Sequence, residues 1–166
     1  MIKLNEIQAK YGEYLVDEKK LKGLLVKPKP KTVWDLKYGD KYYCLDNAGD
    51  INYAGDINYI IWHEDAYNLF QRENGNAFLT YDEAKFELER RKCEAIMLKY
   101  GRRTFKINTS NFCICYNHLF ENVQLDDYTY YQIQGNIYFD SDKLAQKAID
   151  EIGEERLKKY IFRVEE

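Results

Sequence analysis

Proline and histidine are almost missing from this 166-residue chain, with two of each. Both prolines fall in one short stretch, KPKPKT, at 27–32, so no other segment is barred from helix or ladder by a fixed φ. With His63 and His118 alone, and no H-E-x-x-H, no local motif favours a histidine-based metal or catalytic site. Four cysteines, at 44, 93, 113 and 115, are too few for a disulfide framework in a chain of this size, and reduced thiols are expected. No apolar run nears the roughly 20 residues of a membrane span, and MIKLNEIQAK lacks the apolar core of a secretory signal. A cytoplasmic protein without membrane contact is the expectation. Phosphate-cradling G-x-x-x-x-G-K-[ST] and G-x-G-x-x-G motifs are missing as well. Nothing points to a cofactor, and no catalytic motif points to an enzyme.

What the chain does hold is aromatic and charged. Aromatics are 16% of residues, with 16 tyrosines, and apolar residues are 45%, enough for a real core. Charged residues are 32% but the net charge is only −3, too small by itself to mark a nucleic-acid binder.

Residues 1–31 read as an N-terminal helical arm and a stiff Pro-containing linker. Gly12 separates two short helical patterns, and Asp17 caps the second, whose apolar side is Leu21, Leu24 and Leu25. Residues 32–166 read as the main domain. Tyr38-Gly39-Asp40 is a turn signal, Lys41 to Leu45 a strand, Asp46 to Asp50 a hairpin turn, and a second strand ends near Ile60-Ile61-Trp62. EDAYNLFQRENGN reads as a polar loop. Ala77 to Leu79 is extended, and Thr80 with Glu83 forms a capping box that opens a helix running to Tyr100, with Gly101 as its stop.

The second half follows the same plan. FCICYN at 112–117 alternates like a strand, with further extended pieces between Leu119 and Gln134. A strand in GNIYF then leads to a helix capped by Ser141, stopped by Gly153 and striped with Leu144, Ala145, Ala148, Ile149 and Ile152. Gly75-Asn76, Phe78, Thr80 and Ala84 match Gly135-Asn136, Phe139, Ser141 and Ala145. The expected fold is α+β: antiparallel sheet or sheets, one long central helix and a C-terminal helix. Duplicated β-β-α units and simple convergence on a strand-cap-helix junction explain the match equally well.

The hexapeptide AGDINY occurs twice in tandem at 48–59. Its oxygen-bearing residues Asp46, Asp50, Asn52 and Asp56 miss the EF-hand spacing. An insertion of even length leaves every later strand side chain on its own face, so a tolerated lengthening of the hairpin accounts for the repeat.

Three constellations bear on function. Cys113 and Cys115 share a strand face near His118, yet buried thiols acting as small hydrophobes are the commoner case. Arg90, Arg91, Lys92, Lys99, Arg102, Arg103 and Lys106 lie within 90–106 against one acid, Glu94. Of these, Arg90, Arg91, Lys99, Arg102 and Arg103 are the candidate nucleic-acid contacts; a solvated helix face is the alternative. Along the 80–100 helix, Tyr81, Ala84, Leu88, Ala95 and Leu98 share one stripe, which is expected to face the sheet. Phe86, Cys93, Met97 and Tyr100 fall opposite, under another element or across a homodimer.

The series W-D-L-x-x-G-D-x-Y-Y at 34–43, Trp62, G-N-x-F-x-T-x-x-E-A, I-Y-F-x-S and A-I-x-x-I-G-E-x-x-L-K-K-Y at 148–160 resembles a family of small uncharacterised proteins. These are encoded by phages and prophages of low-GC Gram-positive bacteria. The resemblance spans most of 30–164, carries no catalytic residues, and has a shorter hairpin after the Tyr-Tyr strand. It implies an accessory protein that binds and modulates a host protein in the host cytoplasm, including inhibitors of host defence in the anti-CRISPR manner. The surfaces expected to meet such a partner are Asp126, Asp127, Tyr128, Tyr130 and Tyr131, and the Phe86, Met97 and Tyr100 stripe.

Overall fold

The structure, a computed structural model, describes residues 32–45 and 59–164, the backbone pairing of 52–53 with 56–57, and the single residues Glu6 and Lys10. The chain divides into two compact units, Met1–Lys31 and Thr32–Glu166. In the first, Glu6 and Lys10 are helical and exposed. The arm's cap at Asp17, its leucine side, the proline linker and the 46–50 turn lie outside the described residues.

The second unit opens with a 3-10 turn, Val33–Asp35, closed by reciprocal bonds between Thr32 and Asp35. Gly39 then takes φ +86°, the left-handed conformation a glycine accepts without a Cβ clash, and the chain enters β1 (Lys41–Tyr43). The repeat folds back on itself as β2 (Asn52–Tyr53) and β3 (Asp56–Ile57), paired antiparallel. Next, β4 (Tyr59–Ile61) returns alongside β1, with Lys41 opposite Ile61 and Tyr43 opposite Tyr59.

The expected loop at 64–76 is instead a helix, α1 (Ala66–Glu73), and that expectation is corrected. Asp65 caps it by accepting from the Asn68 backbone N–H at 2.8 Å. The apolar pattern hides this helix because its buried residues are Asn68 and Gln71. Asn68 donates to the Tyr42 hydroxyl at 3.0 Å and accepts from the His63 N–H, so a polar network anchors the helix.

Phe78 then pairs with Tyr43 on the free side of β1. The long helix α2 (Tyr81–Tyr100) begins with the capping box of Thr80 and Glu83 and ends at Gly101. At that glycine an added Cβ would sit 2.8 Å from Ile137 and 2.9 Å from the Tyr138 carbonyl oxygen. The close approach lets Arg102 pair with Tyr138.

β5 (Phe112–Asn117) and β6 (Asn122–Asp127) form the second hairpin, in register from Phe112 opposite Asp127 to Asn117 opposite Asn122. Phe139 pairs with Phe112 on the free side of β5. Ser141 caps α3 (Asp142–Ile152), Gly153 stops it at φ +87°, and Glu154–Arg156 runs into a π-helical turn, Leu157–Ile161. The fold is α+β, and each half sets an extended piece against its first strand before a hydroxyl-capped helix.

The core changes partner along α2. Ala84 packs with Leu45, flanked by Tyr43, Phe78, Tyr81 and Leu88 of the first half. Cys93 and Met97 pack with Ile114, Ile137, Phe139, Ala145, Ala148, Ile152 and Leu157 of the second. A separate cluster of Leu36, Tyr42, Cys44, Trp62 and Ala77 fills the first half. The single sheet-facing stripe expected on this helix is therefore not continuous: Ala84 is buried while Ala95 is exposed. Two partners at two ends bury two different faces.

Candidate protein-interaction surface

The segment after β6 owes its shape to one side chain that the sequence does not flag. Asn111 is fully buried. Its Nδ2 lies 2.8 Å from the carbonyls of Lys106 and Thr109 and 2.9 Å from that of Tyr128. Its Oδ1 accepts from the Lys106 N–H and from Arg102, while its backbone exchanges two hydrogen bonds with Tyr128. At the other end, the Tyr138 hydroxyl donates to the Ile133 carbonyl at 3.0 Å and accepts from the Ile133 N–H at 2.7 Å. Residues 128–133 are thus held at both ends.

Between these pins, Tyr130 and Tyr131 stand 78% and 75% exposed, with Ile133 beside them. Asp126 and Asp127 are exposed at the base. Asp126 accepts a 2.9 Å bond from the Tyr128 hydroxyl, which pushes that phenol up to about 12 and keeps it a donor at neutral pH. Asp127 accepts from the Asn111 N–H at 3.0 Å. Two rigid aromatics with a low ordering cost, beside two carboxylates, make a surface suited to a protein partner.

The second stripe of α2 does not serve as a surface. Met97 is 4% exposed and Cys93 fully buried, both in the core, and the Tyr100 hydroxyl bonds Glu151 at 2.6 Å. A homodimer through that stripe is corrected on this ground, because its centre is occupied by the protein's own second half. Tyr100 is half-buried, and so is Phe86. Phe86 lines a cleft of about 1210 Å³ with Phe78, Tyr116, Lys159 and Arg163, and Arg163 lies over its ring.

The basic segment is neutralised. Glu87 meets Arg90 and Arg91, Glu94 meets Arg90 and Arg103, Glu89 meets Lys92, Glu151 meets Lys99, and Asp140 meets Arg102 and Lys106. Burial would raise the Glu87 carboxyl, but hydrogen bonds from Arg90 and Arg91 outweigh it and hold it below the usual range. Lys106 and Arg102 do the same for Asp140. The sequence window 90–106 showed one acid because the other partners lie on the preceding turns of α2 and on the second half. Such pairs add little stability at a surface, yet they cancel the positive field a phosphate backbone would need.

Cys113 and Cys115 alternate as expected, but Cys113 is buried, with its thiol pushed up to about 11 by burial, and Cys115 faces the Gln124 carbonyl at 3.5 Å. His118 is exposed and stacks edge-on against Tyr116. Among the described residues no three His, Cys, Asp or Glu side chains converge on a metal position. No described helix is long and apolar enough to cross a membrane.

Compared with family models, with curated proteins and with solved structures, the chain matches none. The residues behind the phage-family resemblance act in the fold. Tyr42, Trp62, Ala84, Phe139, Ala148 and Leu157 are buried, Gly39 and Gly153 are left-handed, and Thr80 and Ser141 cap helices. None of them belongs to the Tyr130–Tyr131 surface.

Proposed function

We propose that the protein is a non-enzymatic phage or prophage accessory protein that binds and modulates a host protein in the host cytoplasm. In its narrower form it inhibits a host defence system. The motif resemblance supports the class. The binding role rests on one observation: Tyr130 and Tyr131 are exposed on a segment pinned by buried Asn111 at one end and by Tyr138 at the other. A protein that leaves two large aromatics in water on a fixed loop has prepaid much of the ordering cost of docking them. The carboxylates of Asp126 and Asp127 favour a basic patch on the partner. Nucleic-acid binding through Arg90, Arg91, Lys99, Arg102 and Arg103 is the weaker reading, since each cation already meets a carboxylate.

Affinity capture of the tagged protein from a low-GC Gram-positive lysate, with and without nuclease, separates the readings. One stoichiometric protein that survives nuclease is expected. Recovery only of nucleic acid and its attendant proteins, lost on digestion and with steep salt dependence, overturns the proposal.

A further inference from the structure

Arg90, Arg91, Arg102, Arg103 and Arg156 each meet a carboxylate. Arg72 does not. Its side chain has neither an ion pair nor a hydrogen bond among the described residues, and it lies between two indoles, with Cζ 4.6 Å from the Trp34 ring centre and 5.0 Å from that of Trp62. Three elements fix this sandwich. The capping box of Thr32 and Asp35 sets the turn that carries Trp34. Trp62, fully buried, follows β4 and packs edge-on against Tyr42. Asp65 and Asn68 anchor the helix that carries Arg72.

Two buried side-chain polar atoms lack a hydrogen-bond partner among the described residues: Trp62 Nε1 and Arg72 Nε. They belong to the two side chains in face contact, and both are donors, so neither can satisfy the other. A buried unpaired donor is costly, and neither of these two finds an acceptor among the described residues. Trp34, the outer indole, is 64% exposed.

We propose that the Trp34–Arg72–Trp62 sandwich is a recognition site for a carboxylate, supplied by an Asp or Glu side chain in an acidic segment of a partner protein. A guanidinium stacked on aromatic rings does not use its N–H groups in that contact, and its fork matches a carboxylate two bonds at a time. Stacking also removes the rotamer freedom that docking would otherwise cost. Charge complementarity selects an acidic protein segment over nucleic acid. A phosphate backbone needs several unpaired cations in a row, whereas the cations of 90–106 are already matched by carboxylates. The site does not depend on the Tyr130–Tyr131 surface, whose carboxylates suit a partner of opposite sign.

The chain has only two tryptophans, and both are in the site, so the two indole N–H resonances of 15N-labelled protein report on it directly. Titration with a short capped Glu-rich peptide is expected to move both signals saturably, while a Lys-rich peptide of equal length moves neither. Arg72→Gln, and separately the surface change Trp34→Ala, are each expected to weaken the effect at least about tenfold while the rest of the amide spectrum stays native. Indole signals that stay put at millimolar peptide, or shifts that survive Arg72→Gln, overturn the proposal. So does single-stranded DNA moving them at lower concentration than the peptide.

Discussion

The two halves of the main domain are built alike and end differently. Each has a hairpin, an extended piece that pairs with the first strand through Phe78 or Phe139, and a helix capped by Thr80 or Ser141. Each also has one buried asparagine that organises the segment after its hairpin, Asn68 in the first half and Asn111 in the second. In the first half that segment is α1, a packed helix. In the second it is the 128–133 loop, which holds its rings in water. The difference teaches where the second half departs from packing: the same polar anchor that seats a helix in one copy displays two tyrosines in the other.

Breaking the second anchor is expected to have the largest effect. Asn111→Ala strands several carbonyls and removes one of the acceptors of the Arg102 guanidinium, and should cost about 3 kcal/mol in chemical denaturation. Amide exchange should rise at 106–110 and 128–133 and stay unchanged around α1. Asn68→Ala loses fewer bonds, should cost about 2 kcal/mol, and should loosen 63–76 instead. If either variant loosened both halves alike, the two anchors would not be independent.

Acid sharpens the comparison further. The Glu87, Glu94, Asp140 and Glu151 carboxyls are held below their usual range, and all lie in the second half or on the helix that serves it. A folded-state pKa below the unfolded one contributes stability that is present above the unfolded value. It is lost as pH falls through the folded value. Stability should therefore decline below about pH 4, with exchange rising first around 99–106 and 140. A decline that began near neutrality would contradict this.

The smallest effects fall on display rather than packing. Tyr130→Ala with Tyr131→Ala should change stability by less than about 0.5 kcal/mol, read from the same denaturation curves. Removing one AGDINY copy should likewise leave the β1–β4 register and the thermal midpoint nearly unchanged, because six residues preserve the side-chain alternation.

The sequence disclosed what depends on local rules. Thr80 with Glu83, Ser141, Gly101, Gly153 and the alternation of 112–117 all mark their elements correctly. It hid what depends on polar burial or on distant partners. The first helix was masked because its inner face is Asn68 and Gln71 rather than leucine. The α2 stripes misled because the helix changes partner midway, so no single period describes its buried face. The basic window misled because Asp140 and Glu151 arrive from 34 and more residues away. Tyr130 and Tyr131 were legible as candidates, but their pinning by Asn111 was not, since no local motif ties residue 111 to residue 128.

The most direct test of the account is nuclease-treated affinity capture run side by side with the wild-type protein and the Tyr130→Ala/Tyr131→Ala variant. The account predicts a stoichiometric host protein with the wild type and its loss with the equally stable variant. Retention of the same partner by the variant would contradict the assignment of the 128–133 loop as the working surface.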